Sequence, residues 1–274
     1  MYQKNVSSSS EKTNLEHLEV ERAGFLAMDA DRAFYVGLLG KPSWRELGAY
    51  TVYVSRGRPF LLRYMDGAWQ KHGVAAVRPY VPHQIASPDK SIAVVLTEPE
   101  SVDLSLLPCR QEGMRRSNGL PILASRVRTS GTGSSEGASS DELFGPALEE
   151  ALYGGSLGRK LLDPRIAHIV ERIRSQPEAR YGAEECAREV NLSFSRFLHL
   201  FKSETGTPFR RFQAWKRARG VLPQLVKGGS NLTEVALDAG YPDSTHFSHS
   251  IKHIYGLRPS DILSGSRRLE LIDH

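Results

Sequence analysis

From about Leu15 to Pro108 the chain sets short apolar runs between Gly- and Pro-containing breaks: AFYVGLLG, AYTVYVSRG, PFLLRY, GVAAVRPYVP and SIAVVLTEP. Runs of this length, rich in Val, Tyr and Phe, predict strands, and their regular spacing predicts a sandwich or a small barrel. After about Asp163 the period changes. In LDPRIAHIVERIR the apolar residues Ile166, Ile169, Val170 and Ile173 recur at three- and four-residue intervals, which predicts a helix. Asp163 is a good N-cap for it and Pro164 suits the first helical position. The helical pattern continues to the end of the chain. Between the two textures, RVRTSGTGSSEGASSDE (126–142) nearly lacks apolar residues and reads as a flexible linker. A stripe of Leu143, Ala147, Leu148, Ala151 and Leu152 then predicts a short helix, packed on its own domain or on a second copy. The Ser-rich residues 1–14 read as a disordered tail.

The helical part contains a repeat. AREVNLSFSRFLHLFKSETGTP (187–208) and ALDAGYPDSTHFSHSIKHIYGLRP (236–259) share a layout. An Ala is followed four positions later by Asn191 or Gly240, residue types that tolerate the left-handed backbone of a tight turn. A second helix follows in each, ended by Gly206 or Gly256 and a Pro shortly after. At about 100° per residue, Phe197, Leu200 and Phe201 form one face, matched by Phe247, Ile251 and Ile254. Roughly opposite lie Ser195, His199 and Lys202, matched by Thr245, His249 and Lys252. A short hydroxyl, an imidazole and an ammonium recur in register. That arrangement suits a helix in the DNA major groove, with hydroxyl and imidazole on base edges and the ammonium on phosphate.

Charge adds to this picture. The 274 residues carry a formal net charge of +5, which weakly favours a polyanionic partner. FRRFQAWKRARG places Arg210, Arg211, Lys216, Arg217 and Arg219 between the two units with no acidic neighbour. Arg211, Lys216 and Arg217 join Lys202 and Lys252 as expected phosphate contacts. No signal-peptide core or membrane-length apolar run is present, so a cytoplasmic protein with no membrane partner is expected. Cys109 and Cys186 form no CxxC pair, which argues against a disulfide framework or a cysteine zinc site. His249 and His253 have the spacing of two zinc ligands, but no further ligand pattern completes a shell. No metal and no cofactor are expected.

Residues from about 163 to 265 resemble the C-terminal DNA-binding domain of AraC/XylS-type transcriptional regulators, through LDPRI, CAREVNLSFSRFLHLFKSETGTPFRRF and VALDAGYPDSTHFSHSIKHIYGLRPSDI. The resemblance implies two helix-turn-helix subdomains joined by a long helix, about Pro208–Lys227. It also implies base contacts from Ser195, Leu198 and His199, then from Ser244, Thr245 and His249. Many family members have Arg where His199 and His249 stand, so the target sequence does not follow. Pro223 inside the joining helix predicts a kink or an early end. In the N-terminal part, GVAAVRPYVPHQI resembles the second conserved stretch of cupin barrels. The histidine pair of metal-binding cupins is absent, which leaves His83 as a structural or pocket residue, with Tyr53 as its companion in an effector pocket.

The expected molecule is therefore multidomain: a tail (1–14), a β-rich cupin-like effector or dimerisation barrel (15–110), a linker with a short helix (111–162), and an all-α AraC-type domain (163–274). Its helix-turn-helix units span about 183–204 and 232–254, with recognition helices at about 193–204 and 243–254. The expected function is bacterial sequence-specific transcription regulation without enzyme activity. Its partners are double-stranded DNA, a small-molecule effector, a second protomer, and RNA polymerase if the protein is an activator. The rival is a cupin-type metal enzyme, built on His72 and His83, with an appended DNA-binding domain. A fragment lacking residues 1–140 is expected to fold and bind DNA by itself.

Overall fold

In the run Tyr50–Val54 every side chain is buried, which a strand achieves only when both faces of its sheet are covered. The computed structural model describes residues 24–65, 67–103, 105, 149–150, 153, 155, 157–227, 231–266 and 269–273. The expected tail, the Gly/Ser-rich linker and the stripe residues Leu143, Ala147, Leu148, Ala151 and Leu152 lie outside them. Eight strands come first: β1 (Gly24–Met28), β2 (Arg32–Leu38), β3 (Tyr50–Val54), β4 (Phe60–Tyr64), β5 (Gln70–His72), β6 (Val74–Val77), β7 (His83–Ala86) and β8 (Ser91–Thr97). Strict alternation sends Tyr50, Val52 and Val54 to one face of the large sheet and Tyr53 to the other. In β8, Ala93 and Val95 join the first group, while Ile92, Val94 and Leu96 join the second.

With β9 (Leu269–Asp273), which follows the helices, these strands form two sheets, ordered β6-β3-β8-β2-β1-β9 and β5-β4-β7. Among the described residues they do not close into one barrel, so the sandwich alternative describes them. Phe60, Leu62 and Ile85 of the small sheet share a core with Tyr53, Ile92 and Val94 of the large one. Burying side chains of this size contributes about 2 kcal/mol each.

From Asp163 onward the described residues form seven helices: α1 (Pro164–Ser175), α2 (Ala183–Glu189), α3 (Phe194–Thr205), α4 (Phe209–Lys227), α5 (Leu232–Asp238), α6 (Ser244–Tyr255) and α7 (Pro259–Ser266). Asp163 caps α1 as expected, accepting from the Arg165 amide, and Pro164 is its first residue. Pro223 neither ends α4 nor shortens it: the helix continues to Lys227, although proline supplies no N–H for the Arg219 carbonyl.

The first unit has a core of its own, in which Ile166, Ile169 and Ile173 pack on Phe197, Phe201, Phe209 and Phe212. Phe201 meets Phe209 edge-on, with ring centres 5.0 Å apart. The second unit does not have such a core. Phe247, Ile251, Tyr255, Trp215 and Leu222 lie in one apolar cluster with Tyr53, Phe60 and Leu47 of the sandwich. The chain also ends differently from expectation. Residues Leu269–Asp273 form a strand, β9, paired in parallel with β1, where a helical end was expected. The backbone of an edge strand offers unpaired N–H and C=O groups, and β9 satisfies them on β1.

Candidate nucleic-acid interface and the cavity behind it

Each helix-turn-helix unit is built by local rules. Asn191 and Gly240, with φ of 54° and 73°, adopt the left-handed backbone anticipated for the turns. Ser193 caps α3 by accepting from the Arg196 amide, and Asp243 caps α6 by accepting from the His246 amide at 2.7 Å. Gly206 and Gly256 end the two helices at φ 74° and 71°. Phe197 and Phe201 are buried in the first unit, Phe247 and Ile251 in the second. Ser195, His199 and Lys202 are exposed on α3; Thr245, His249 and Lys252 are exposed on α6. Leu198 and Ser244 are half-buried at the edges of these faces. His246 and His253 are also exposed, and His246 sits against the Tyr241 ring, 6.1 Å between centres. A shallow groove lined by Arg165, Ser195, Arg196, His199 and Ser203 runs along α3.

Lys216 of α4 is placed differently from expectation. Lys216 is 4% exposed. Its ammonium lies 2.6 Å from the Glu98 carboxylate and also contacts Glu100. Trp215 donates its indole N–H to Glu98 at 2.8 Å, and Arg219 Nε lies 2.7 Å from the same carboxylate. Arg174 of α1 bonds Asp31 at 2.5 Å and reaches Glu100 at 3.1 Å. Burial by itself would raise the Glu98 carboxyl's pKa, but Lys216 and Arg219 outweigh it and hold the group below the usual carboxylate range. Lys216, expected on phosphate, is thus enclosed by two carboxylates just beyond β8. Arg217 donates to the Ala179 carbonyl and stacks over Tyr241. Arg211 pairs with Glu46 and covers Tyr80. These acids follow or precede strands in the sequence, where nothing marks them as partners of a helix more than a hundred residues away.

Behind the second unit, between the sandwich and α4, α6 and α7, lies a cavity of about 270 Å³. Leu26, Leu47, Val94, Leu222 and Val226 give it apolar walls, and Tyr35, Tyr53, Arg45 and Asp261 add polar groups. Arg45 is 5% exposed, yet its Nε and one terminal nitrogen have no hydrogen-bond acceptor. A buried guanidinium in that state is costly unless an acceptor arrives. Arg45 exchanges backbone hydrogen bonds with His83, both at 3.1 Å.

His83 stands just behind the wall. Its Nδ1 bonds the Val81 carbonyl at 2.7 Å, so Nδ1 carries the proton and Nε2 accepts from the Tyr53 hydroxyl at 2.8 Å. Burial lowers the His83 pKa to about 4, so the ring is neutral at physiological pH. Burial likewise raises the Tyr53 phenol to about 12. Tyr53 lines the cavity, and His83 positions its hydroxyl from outside. His72 packs on the Phe60 ring instead. Arg45 has no signature in PSWRELG that would have singled it out.

Residues 186–264 match the family described as a helix-turn-helix domain. The chain is 27% identical over 97 residues to the HTH-type transcriptional regulator MtrA of Neisseria gonorrhoeae, covering 35% of this chain and 32% of that protein. It is 32% identical over 130 residues to the bifunctional transcriptional activator/DNA repair enzyme Ada of Escherichia coli, covering 44% and 36%. The chain thus matches about a third of the length of these relatives. Its C-terminal part is an AraC-type helix-turn-helix domain. The fold as a whole is that of ToxT from Vibrio cholerae. One ToxT structure superposes with a TM-score of 0.56 at 13% identity, over 86% of this chain and 98% of that one. A structure of ToxT with an unsaturated fatty acid bound gives 0.53 at 15%, over 86% and 95%. Among the described residues no helix is long and apolar enough to cross a membrane.

Proposed function

We propose that this chain is a cytoplasmic, sequence-specific transcription regulator that lays α3 and α6 into successive major-groove segments of one DNA duplex. Ser195, Leu198 and His199 read bases from α3, and Ser244, Thr245 and His249 read them from α6. Lys202 and Lys252 take flanking phosphates. One observation carries this reading: two units with the same turn geometry present the same hydroxyl, imidazole and ammonium to solvent at equivalent positions. The N-terminal domain of about residues 15–110 forms the sensing half, with the cavity it shares with α4, α6 and α7, and RNA polymerase and a second protomer are further partners. The ligand class we assign to the cavity is an apolar molecule carrying an acid group, which would supply the acceptor that the Arg45 guanidinium lacks. ToxT, which shares the fold, has been solved with an unsaturated fatty acid bound.

The test is selection of the purified full-length protein on a random duplex library at physiological salt. A motif of two boxes about one helical turn apart is the expected result. Enrichment of a single box, or affinity set by salt alone, would overturn the two-reader assignment.

A further inference from the structure

The two units are equivalent in sequence layout but not in surroundings, and the difference lies at the ends of their recognition helices. The last carbonyls of a helix lack intrahelical partners. In α3 this end is served from the segment leading into α1, where the Lys160 ammonium donates to the Glu204 carbonyl at 2.5 Å while the Lys160 amide bonds the Ser101 carbonyl at 2.9 Å. In α6 it is served by the sandwich. The Ser43 hydroxyl donates to the Gly256 carbonyl. The Glu46 amide is shared between the His253 and Ile254 carbonyls, each at 3.1 Å. The Glu46 carboxylate pairs with Arg211 of α4 and lies 3.8 Å from His253 Nε2.

The terminal glycines give an internal control. Both adopt the left-handed backbone, so a side chain at either is strained to a similar degree. A Cβ added at Gly206 meets nothing within 4 Å. At Gly256 it would lie 2.9 Å from Ser43 Oγ and 3.0 Å from Arg45 Nε. The Arg45 cation thus stands beside the negative end of α6, where positive charge is favourable, and it also lines the cavity.

We propose that Ser43–Glu46 is a cap supplied by the sensing half to the second recognition helix, fixing how the end of that helix is seated without touching the end of the first. The inference rests on the DNA-reading function proposed above, and it gives the cavity a route to one reader only. An acid group bound at Arg45 would offset the positive charge that stands beside the end of α6. The reading face is not covered by the cap: Thr245 and His249 stay exposed. The cap therefore orients the helix without blocking it.

Amide hydrogen exchange on the full chain tests this with Ser43→Ala, Ser43→Thr, Gly256→Ala and Gly206→Ala. Ser43→Ala and Gly256→Ala are expected to speed exchange several-fold at the Glu46 amide and in the last turn of α6. Ser43→Thr, which keeps the hydroxyl, should stay near the parent, and Gly206→Ala should act only in the last turn of α3. On the selected duplex, the first two variants should weaken protection of one box and spare the other. Unchanged exchange at Glu46 and α6 would overturn the cap, as would changes spread equally over α3 and α6. If no duplex is selected, the DNA-reading function fails while the exchange result still decides the cap.

Discussion

His83 and His249 show how one residue type serves two ends. His249 is exposed on a repeated helix face, a placement that helical periodicity alone predicts. Replacing His249 or Thr245 by Ala should lower discrimination between the selected and random duplexes by about 1–3 kcal/mol per lost base contact. Competition binding measures this, and full retained specificity in both variants would remove these residues from the interface. Lys252→Ala should instead weaken binding to all sequences and reduce the salt slope by about one. His83 is buried and neutral, with a folded pKa near 4 against an ordinary value of 6.5. Its unfolded form takes up a proton first, so its contribution to stability is complete above pH 6.5. That contribution is lost as pH falls from there toward 4, by about 3 kcal/mol in all. Urea unfolding across this window should show the decline, and His83→Asn should flatten it. Arg45 and Ser43 are not legible in the sequence, because a loop residue takes its role from whatever the fold brings to it.

Helix α4 shows the same limit for a whole element. Its basic run reads as phosphate contact in the absence of acidic neighbours, and that is where sequence reasoning misplaced Lys216. The counter-charges come from Glu98 and Glu100, at the far end of the sheet in sequence and in contact in space. Lys216→Ala should therefore destabilise the protein by about 3–5 kcal/mol, since it leaves buried carboxylates without their ammonium. Glu98→Gln should cost less, because its carbonyl still accepts the Trp215 indole N–H and Glu100 still pairs with Lys216. Equal losses in denaturant titrations would contradict this account. The cap residues, turns and recognition helices were legible at this scale, since N-caps, left-handed turn residues and apolar periodicity act over fewer than five positions.

At the scale of the molecule, one apolar cluster runs from the sandwich into the second helix-turn-helix unit, while the first unit closes on its own core. The expectation that a fragment lacking residues 1–140 folds alone is accordingly divided. The first unit should remain folded in that fragment. The second should melt separately and early, with Trp215 emission shifted toward that of exposed indole, because Gly48 and Glu98 no longer pack against its ring. A single cooperative transition with parent-like emission would mean that the shared core is dispensable.

The sequence by itself determined the two textures of the chain, the paired turn-and-helix units and their outward faces. Each of these is written in periodicities and caps that span a few residues. Tertiary structure alone decided that the strands form two sheets, that β9 returns to β1, and that α4 turns Lys216 and Arg219 inward. It alone decided that Arg45 stands between a cavity and the end of α6. These features depend on which distant groups neutralise, cover or hydrogen-bond one another, and that complementarity exists only once the chain has folded.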